Sequence, residues 1–262
     1  MKRVLITGIN SDIGFALTEV MLGKEYEIYG TYNEINDNVI NLLKLNVKLY
    51  QVDFSKSEDI NSWLQKIKFS QLELIFFMHG TLEPIGKLGD IEFSQWLRSN
   101  NINYLSIVSV LNFCLNKLNP SCRLITIAGG GVNNAPTHFS AYTSAKISLV
   151  KLTELCAAEY PQLLFFNLGP GWVDTRIHKQ TLSAKEMAGN AYQATLERYE
   201  SGKFVDMVDV INALLFLAER ATLEYSGRNF SVASGELSDN SLKFKLASDD
   251  NLFKLRRFSD KN

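Results

Sequence analysis

Tyr142 and Lys146 stand four residues apart in the run Tyr-Thr-Ser-Ala-Lys. On a helix this spacing puts a phenol and an ammonium on one face. A free tyrosine has a pKa near 10, so roughly one in a thousand is phenolate at neutral pH. A fixed positive charge nearby favours the phenolate and brings the group toward useful acid/base strength. Alone, such a pair is usually an ordinary helix surface. Its company changes the reading: it follows a strand-like run and the loop Gly129-Gly-Gly131, and ligands bind at the carboxyl edge of parallel sheets.

A second chemistry-bearing stretch is Thr7-Gly8-Ile9-Asn10-Ser11-Asp12-Ile13-Gly14, between an apolar run and a helical pattern. Gly8 allows a tight turn and Gly14 allows close packing of helix on strand. The N–H groups at the helix start then face a pyrophosphate. At the first strand-to-helix junction of the chain, the turn reads as a dinucleotide site. Asp12 stands where a middle glycine is expected. It either caps the helix or points its charge away from the phosphates. The second strand ends in Tyr32-Asn33-Glu34. An acid at the strand end would bind a ribose 2′-hydroxyl and repel a 2′-phosphate. Here the strand-end positions are neutral and no arginine follows, so of NADP(H) and NAD(H) the balance tips to NADP(H). Asp53 suits either an adenine amino group or the N-cap of a helix over 57–67.

The elements that must hold these residues are legible as short apolar runs. Strands are expected at about 3–7, 26–32, 47–52, 72–78, 122–128, 162–168 and 227–233. Helices are expected at about 12–23, 36–45, 57–67, 92–118 (broken near Asn100), 140–158 and 206–219. Alternation of strand and helix implies right-handed crossovers and a mostly parallel, seven-stranded, doubly wound α/β sheet. Runs such as Leu72–Met78 are mostly apolar, as strands buried on both faces should be. No linker divides residues 1–262, so one domain is expected. The more polar stretch 176–204 reads as a substrate lid. Residues 235–262 read as a polar tail whose end, 252–258, docks as a final element.

Composition narrows the function classes. Lys and Arg number 27 against 28 Asp and Glu, with 46% hydrophobic and 21% charged residues. These fractions exclude disorder and fibrous repeats, and a net charge of -1 gives no attraction to nucleic acid. Apolar runs such as Ala213–Ala218 fall far short of the ~20 residues of a membrane span. The first residues lack a signal peptide's pattern. Cys114, Cys122 and Cys156 contain no CxxC pair and fit reduced thiols in a cytoplasmic protein; no metal site is expected. Val108, Val110, Leu111, Leu149, Val150 and Leu152 make the helices near 103–118 and 140–158 strongly apolar. A homodimer or homotetramer is expected to cover them.

Taken together, Thr7-Gly8…Ile13-Gly14, Asp53, His79-Gly80, Asn103, Tyr142…Lys146 and Asn167-Leu-Gly-Pro170-Gly171-Trp-Val-Asp-Thr175 resemble the short-chain dehydrogenase/reductase family in its single-domain branch, from Lys2 to about Val232. The resemblance implies a Rossmann-type fold and interconversion of a carbonyl and a secondary alcohol. Tyr142 would pass a proton to or from the substrate oxygen as hydride moves. Lys146 would bind the nicotinamide ribose and tune Tyr142, and Asn103 would support a water-linked proton relay. The cofactor would touch Gly8, Asn10, Ser11, Asp12, Ile13, Gly14, Asn33, Asp53, Phe54, His79 and Gly80. Pro170, Gly171, Val173 and Thr175 would border the nicotinamide.

One departure is chemical. The family normally carries a serine about thirteen residues before the tyrosine, and here that position is Gly129. Losing one preorganised donor typically costs ~10²–10³ in rate. Ser140, His138, Thr126 or backbone N–H groups of the glycine run could substitute. The Gly-Gly-Gly loop, Phe139-Ser-Ala-Tyr142 and Leu255-Arg-Arg257 resemble a sub-branch linked to polysaccharide or sugar modification, which implies a sugar-like substrate. The second reading is a cofactor-binding sensor or partner protein with little turnover. A sugar-nucleotide epimerase is disfavoured, because the chain lacks room for the extra carboxyl-terminal domain.

Overall fold

A computed structural model describes residues 2–257; the end of the expected docking segment, Phe258, and the rest of the tail lie outside them. Seven strands form one parallel sheet in the order β3-β2-β1-β4-β5-β6-β7. They are β1 (Arg3–Thr7), β2 (Glu27–Tyr32), β3 (Val47–Gln51), β4 (Leu74–Phe77), β5 (Arg123–Ile127), β6 (Leu164–Gly169) and β7 (Arg228–Ser231). Each expected strand is present, trimmed by a few residues at most. The order reverses between β1, which pairs with β2, and β4, which starts the other half. The crevice at the carboxyl ends of these two strands is where an open α/β sheet binds its ligand.

The strands are apolar throughout because both faces are covered. In β1, Val4 and Ile6 join one core and Leu5 the other; in β4, Leu74 and Phe76 oppose Ile75 and Phe77. The first core is built by α1 (Asp12–Gly23), the short α2 (Asp37–Leu42) and α9 (Met207–Glu219), joined by residues of the tail. The second core receives α3 (Ser57–Leu64), α5 (Ser106–Cys114) and α6 (Ser140–Glu159). The expected break near Asn100 is a π-helical turn, Asn101–Leu105, between α4 (Phe93–Asn100) and α5. Such turns are frequent at functional sites, and this one holds Asn103.

The stretch expected as a lid is two helices, α7 (Arg176–Ala184) and α8 (Asn190–Ser201). The tail holds one helix that the sequence reading did not expect, α10 (Leu242–Ser248), which buries Leu242 and Leu246. Leu252 and Phe253 do pack on the core. The buried Arg228 of β7 pins this tail by donating to the carbonyls of Leu246 and Leu252 at 3.1 and 2.6 Å.

Among the described residues no helix is long and apolar enough to cross a membrane, and no group of His, Cys, Asp and Glu could hold a metal ion. Cys114, Cys122 and Cys156 are free and buried, and burial pushes each thiol up. Val110, Leu111, Leu149 and Val150 are buried within the chain itself. They do not need a second copy to cover them, which corrects the reason for expecting one. Among the described residues Leu105 and Leu155 are exposed on these helices, and Phe93 and Leu97 on the preceding α4.

Candidate active site

The glycine-rich turn is packed as its sequence requires. Gly8 has φ +64, and a Cβ there would fall 2.6 Å from the backbone of His79; one at Gly14 would fall 2.6 Å from the Gly8 carbonyl. Ser11 caps α1, its hydroxyl accepting from Gly14 N at 3.1 Å. The N–H groups of Asp12 and Ile13 find no acceptor among the described residues. Two unspent donors at a helix start fit an anionic diphosphate.

Asp12 does not cap its own helix, nor does it turn to water alone. Its carboxylate accepts from the backbone N–H of Arg176 at 2.7 Å and lies 3.4 Å from the Arg176 guanidinium. The same guanidinium donates to the Asn10 carbonyl. That carbonyl also accepts from the side-chain amides of Asn36 and Asn38, each at 3.2 Å, while the Asn10 amide donates to Glu34 O. Arg176 escaped the sequence reading. The signal was Asp12 itself, an acid in a turn whose sequence reads as a phosphate site, which called for a counter-charge.

Of the residues expected to meet an adenosine, Asn33 is exposed, its carbonyl accepting from Gln51. Asp53 is not the N-cap of α3; Lys56 is. The Asp53 carboxylate instead accepts from Ser55 N and Oγ at 2.9 and 2.7 Å. Burial works to raise its pKa, but the two Ser55 hydrogen bonds and Lys56 outweigh that and hold it below the usual value. Phe54 turns its ring inward, stacked on His79 at 4.0 Å and edge-on to Trp63 at 5.8 Å. Only its backbone can face a ligand.

His79 is the hub of this crevice. One ring nitrogen lies 2.6 Å from Thr7 Oγ1 at the end of β1, the other 2.9 Å from Ser106 Oγ on α5. Burial, reinforced by the charge of Lys146, drives its pKa down to about 3. A neutral imidazole is therefore a structural bridge between the turn and the helix that follows Asn103.

Asn103 is fully buried and binds the loop after β4: its carbonyl oxygen accepts from Thr81 N at 3.0 Å, and its amide donates to Thr81 O at 2.8 Å. A Cβ at Gly80 would meet Asn103 Oδ1 at 2.9 Å and Lys146 Nζ at 3.6 Å, so Gly80 is the gap between those two side chains. Lys146 Nζ lies 5.7 Å from the centroid of the Tyr142 ring. Burial pushes Tyr142 up to about 12 and Lys146 down to about 8. Desolvation, which disfavours the phenolate, is what raises Tyr142.

Gly129 explains its own identity. A Cβ there would fall 2.6 to 2.8 Å from Cε1, the hydroxyl and Cζ of Tyr142. The phenol occupies the space a serine side chain would need. Of the expected substitutes, Thr126 accepts from Asn167 at 2.7 Å in the core. His138 bonds Thr137 Oγ1 at 3.0 Å and sits against Gly189. The Ser140 hydroxyl is buried with no partner among the described residues.

Past β6, Gly171 takes φ +77, and a Cβ there would strike Val205 at 2.8 Å. Pro170 precedes it, Val173 is buried in the first core, and Thr175 is the N-cap position of α7, its hydroxyl on Val173 O. From there α7 and α8 fold over Tyr142. Leu82, Phe139 and Ala188 form a small apolar cluster with Ile85, Tyr142, Ile177, Ala184, Ala191 and Tyr192. Gln180 on α7 accepts from Leu82 N at 3.1 Å, while Trp172 stacks on His178 at 4.3 Å and lies 5.0 Å from the Arg198 guanidinium.

Residues 8–236 match a family model described as enoyl-(acyl carrier protein) reductase. An uncharacterised oxidoreductase of Schizosaccharomyces pombe is 27% identical over 225 residues, covering 83% of this chain and 90% of its own. Benzil reductase ((S)-benzoin forming) of Saccharomyces cerevisiae is 26% identical over 228 residues, covering 78% and 85%. The crystal structure of a short-chain dehydrogenase/reductase from Saccharomyces cerevisiae superposes with a TM-score of 0.77 at 18% identity, covering 92% of this chain and 98% of its own.

Proposed function

The chain belongs to the short-chain dehydrogenase/reductase family and is an oxidoreductase using a nicotinamide cofactor; on that premise we propose that it interconverts a carbonyl and a secondary alcohol, with Tyr142 as the acid/base. The observation that carries this is that Asn103 and Lys146 flank Gly80 at the carboxyl edge of the sheet, with the Tyr142 ring 5.7 Å from Lys146 Nζ. The bound nicotinamide supplies or accepts a hydride. The protein's share is to hold the reactants and move the proton. A phenol kept neutral by burial is the form that donates to a developing alkoxide. Lys146 faces the same gap and would hold the ribose, while Asn103 fixes the loop at Thr81 and so the width of that gap.

The dinucleotide would lie across the free N–H groups of Asp12 and Ile13, with Gly8, Asn10, Ser11 and Gly14 shaping the turn. Asn33, Asp53 and the Phe54 backbone would line its adenosine end. Gly80, with His79 behind it, would border the middle, and Pro170, Gly171, Val173 and Thr175 the nicotinamide. The neutral end of β2 favours NADP(H) over NAD(H). Fluorescence titration of both reduced cofactors tests this; NADH binding tenfold tighter than NADPH overturns the preference.

For the substrate we favour an apolar carbonyl compound over a sugar. The cluster that α7 and α8 press onto Tyr142 is aliphatic and aromatic, and a buried sugar would leave its hydroxyls unpaired there at a cost of roughly 1–3 kcal/mol each. Turnover of aryl or alkyl ketones with NADPH, set against a panel of keto-sugars, tests it; faster turnover of the keto-sugars restores the sugar reading. The sensor reading has less support, since Tyr142, Lys146 and Asn103 are all present and juxtaposed. A homodimer or homotetramer in the cytoplasm completes the proposal. Exposed Leu97, Leu105 and Leu155 support association, three buried thiols suit a reducing compartment, and a monomer mass by light scattering counts against the assembly.

A further inference from the structure

The phosphate-binding turn carries a negative charge of its own, and the lid brings a positive charge to meet it. Asp12 is the first residue of α1, where the anion would sit. An unneutralised carboxylate there would repel a diphosphate at short range. The carboxylate is tied twice to the first residue of α7. One oxygen accepts from Arg176 N at 2.7 Å, and the other lies 3.4 Å from Arg176 Nε. The N-cap position of α7, Thr175, makes no side-chain cap of its own. Asp12 therefore caps α7 from a distant segment, meeting an orphan N–H and the positive end of the helix dipole. The guanidinium reaches further, to the Asn10 carbonyl at the crest of the turn.

We propose that Arg176 is the resident counter-charge of Asp12, so that docking of the lid helix, by neutralising the phosphate turn, sets the affinity for the dinucleotide. Cofactor binding and lid position are then one equilibrium. With α7 docked the turn is electrically balanced and its free N–H groups act unopposed. With α7 withdrawn, the turn shows a bare carboxylate to an incoming diphosphate. By linkage, a bound dinucleotide must in turn hold α7 down. This rests on the reading that a nicotinamide dinucleotide binds the turn.

A double-mutant cycle on the full-length protein tests it, with NADPH and NADH as probes and fluorescence as readout. Arg176→Ala should weaken binding about tenfold or more, and Arg176→Lys should stay within threefold of wild type. Asp12→Asn keeps an acceptor for the α7 N–H but removes the charge; it should bind as well as wild type or better. In the Asp12→Asn background, Arg176→Ala should cost less than threefold. Limited chymotrypsin digestion without cofactor gives a second readout: cleavage within 177–204 should be faster in Arg176→Ala than in wild type. NADPH should protect wild type more than Arg176→Ala. An Arg176→Ala loss of equal size in both backgrounds overturns the proposal and makes Arg176 a direct phosphate ligand. Unchanged binding in Arg176→Ala also overturns it, leaving the functional reading intact. A wild type that binds neither nucleotide sinks both.

Discussion

Tyr142 lies so close over Gly129 that a single methyl group at position 129 would fall 2.7 Å from the phenolic oxygen. The absent serine is therefore not an empty place that a hydroxyl could refill. Gly129→Ser and Gly129→Ala should both lower kcat by about 10², because displacing a reacting group by ~1 Å costs that much. Steady-state kinetics on the two variants checks this. A serine variant faster than wild type would mean that Tyr142 shifts freely and that the hydroxyl, not the space, was limiting.

Tyr142→Phe keeps the ring against Gly129 and removes only the transferable proton. Activity should fall by at least ~10², while the dissociation constant for the reduced cofactor stays within twofold. A Phe variant as active as wild type would remove Tyr142 from the mechanism.

Lys146 is almost wholly buried, and burial lowers its pKa from 10.5 to about 8. Between these values the unfolded chain binds a proton that the folded chain does not, so stability rises as pH rises through that window. Below it both states are charged and the burial cost is present in full, roughly 3 kcal/mol. Lys146→Met should therefore lower kcat and raise the KM for cofactor, yet melt higher than wild type at pH 7. The gap should shrink toward pH 10. Melting curves at the two pH values decide it; a Met variant that melts lower at pH 7 would show that the ammonium is compensated in the fold.

The strands were legible because a sheet buried on both faces writes itself as apolar runs, and Leu74–Phe77 or Arg3–Thr7 admit few other readings. The Tyr142–Lys146 pair and the Gly8 turn were legible because their chemistry is local, within one helix or one turn. What escaped was long-range. Asp12 and Arg176 are 164 residues apart, and only the fold brings them together. The apolar cluster over Tyr142 draws on Leu82, Phe139 and Ala188, from three separate segments of mixed composition. The tail helix buries only Leu242 and Leu246, too little periodicity to stand out of a polar stretch. The direction of the Tyr142 shift depended on burial, which spacing does not encode.

His79 makes the fold sensitive to acid. Its folded pKa, about 3, lies below the ordinary 6.5 because the ring is buried between Thr7, Ser106 and Phe54 with Lys146 nearby. As pH falls through 6.5 the unfolded chain takes up a proton that the folded chain refuses, so stability drops continuously until about pH 3. From pH 7 to pH 4 this one group should remove roughly 3 kcal/mol. His79→Asn has no such group and keeps a donor and an acceptor for one of the two hydroxyls. It should be less stable than wild type at pH 7, where it has lost the stack on Phe54 and half of the bridge from β1 to α5. On acidification it should lose less, so the two stability curves converge or cross below about pH 5. Urea denaturation at pH 7, 5.5 and 4 on both proteins measures the difference. Because the carboxylates are common to both, parallel curves would mean that the imidazole is protonated in place and that His79 is not the neutral bridge described above.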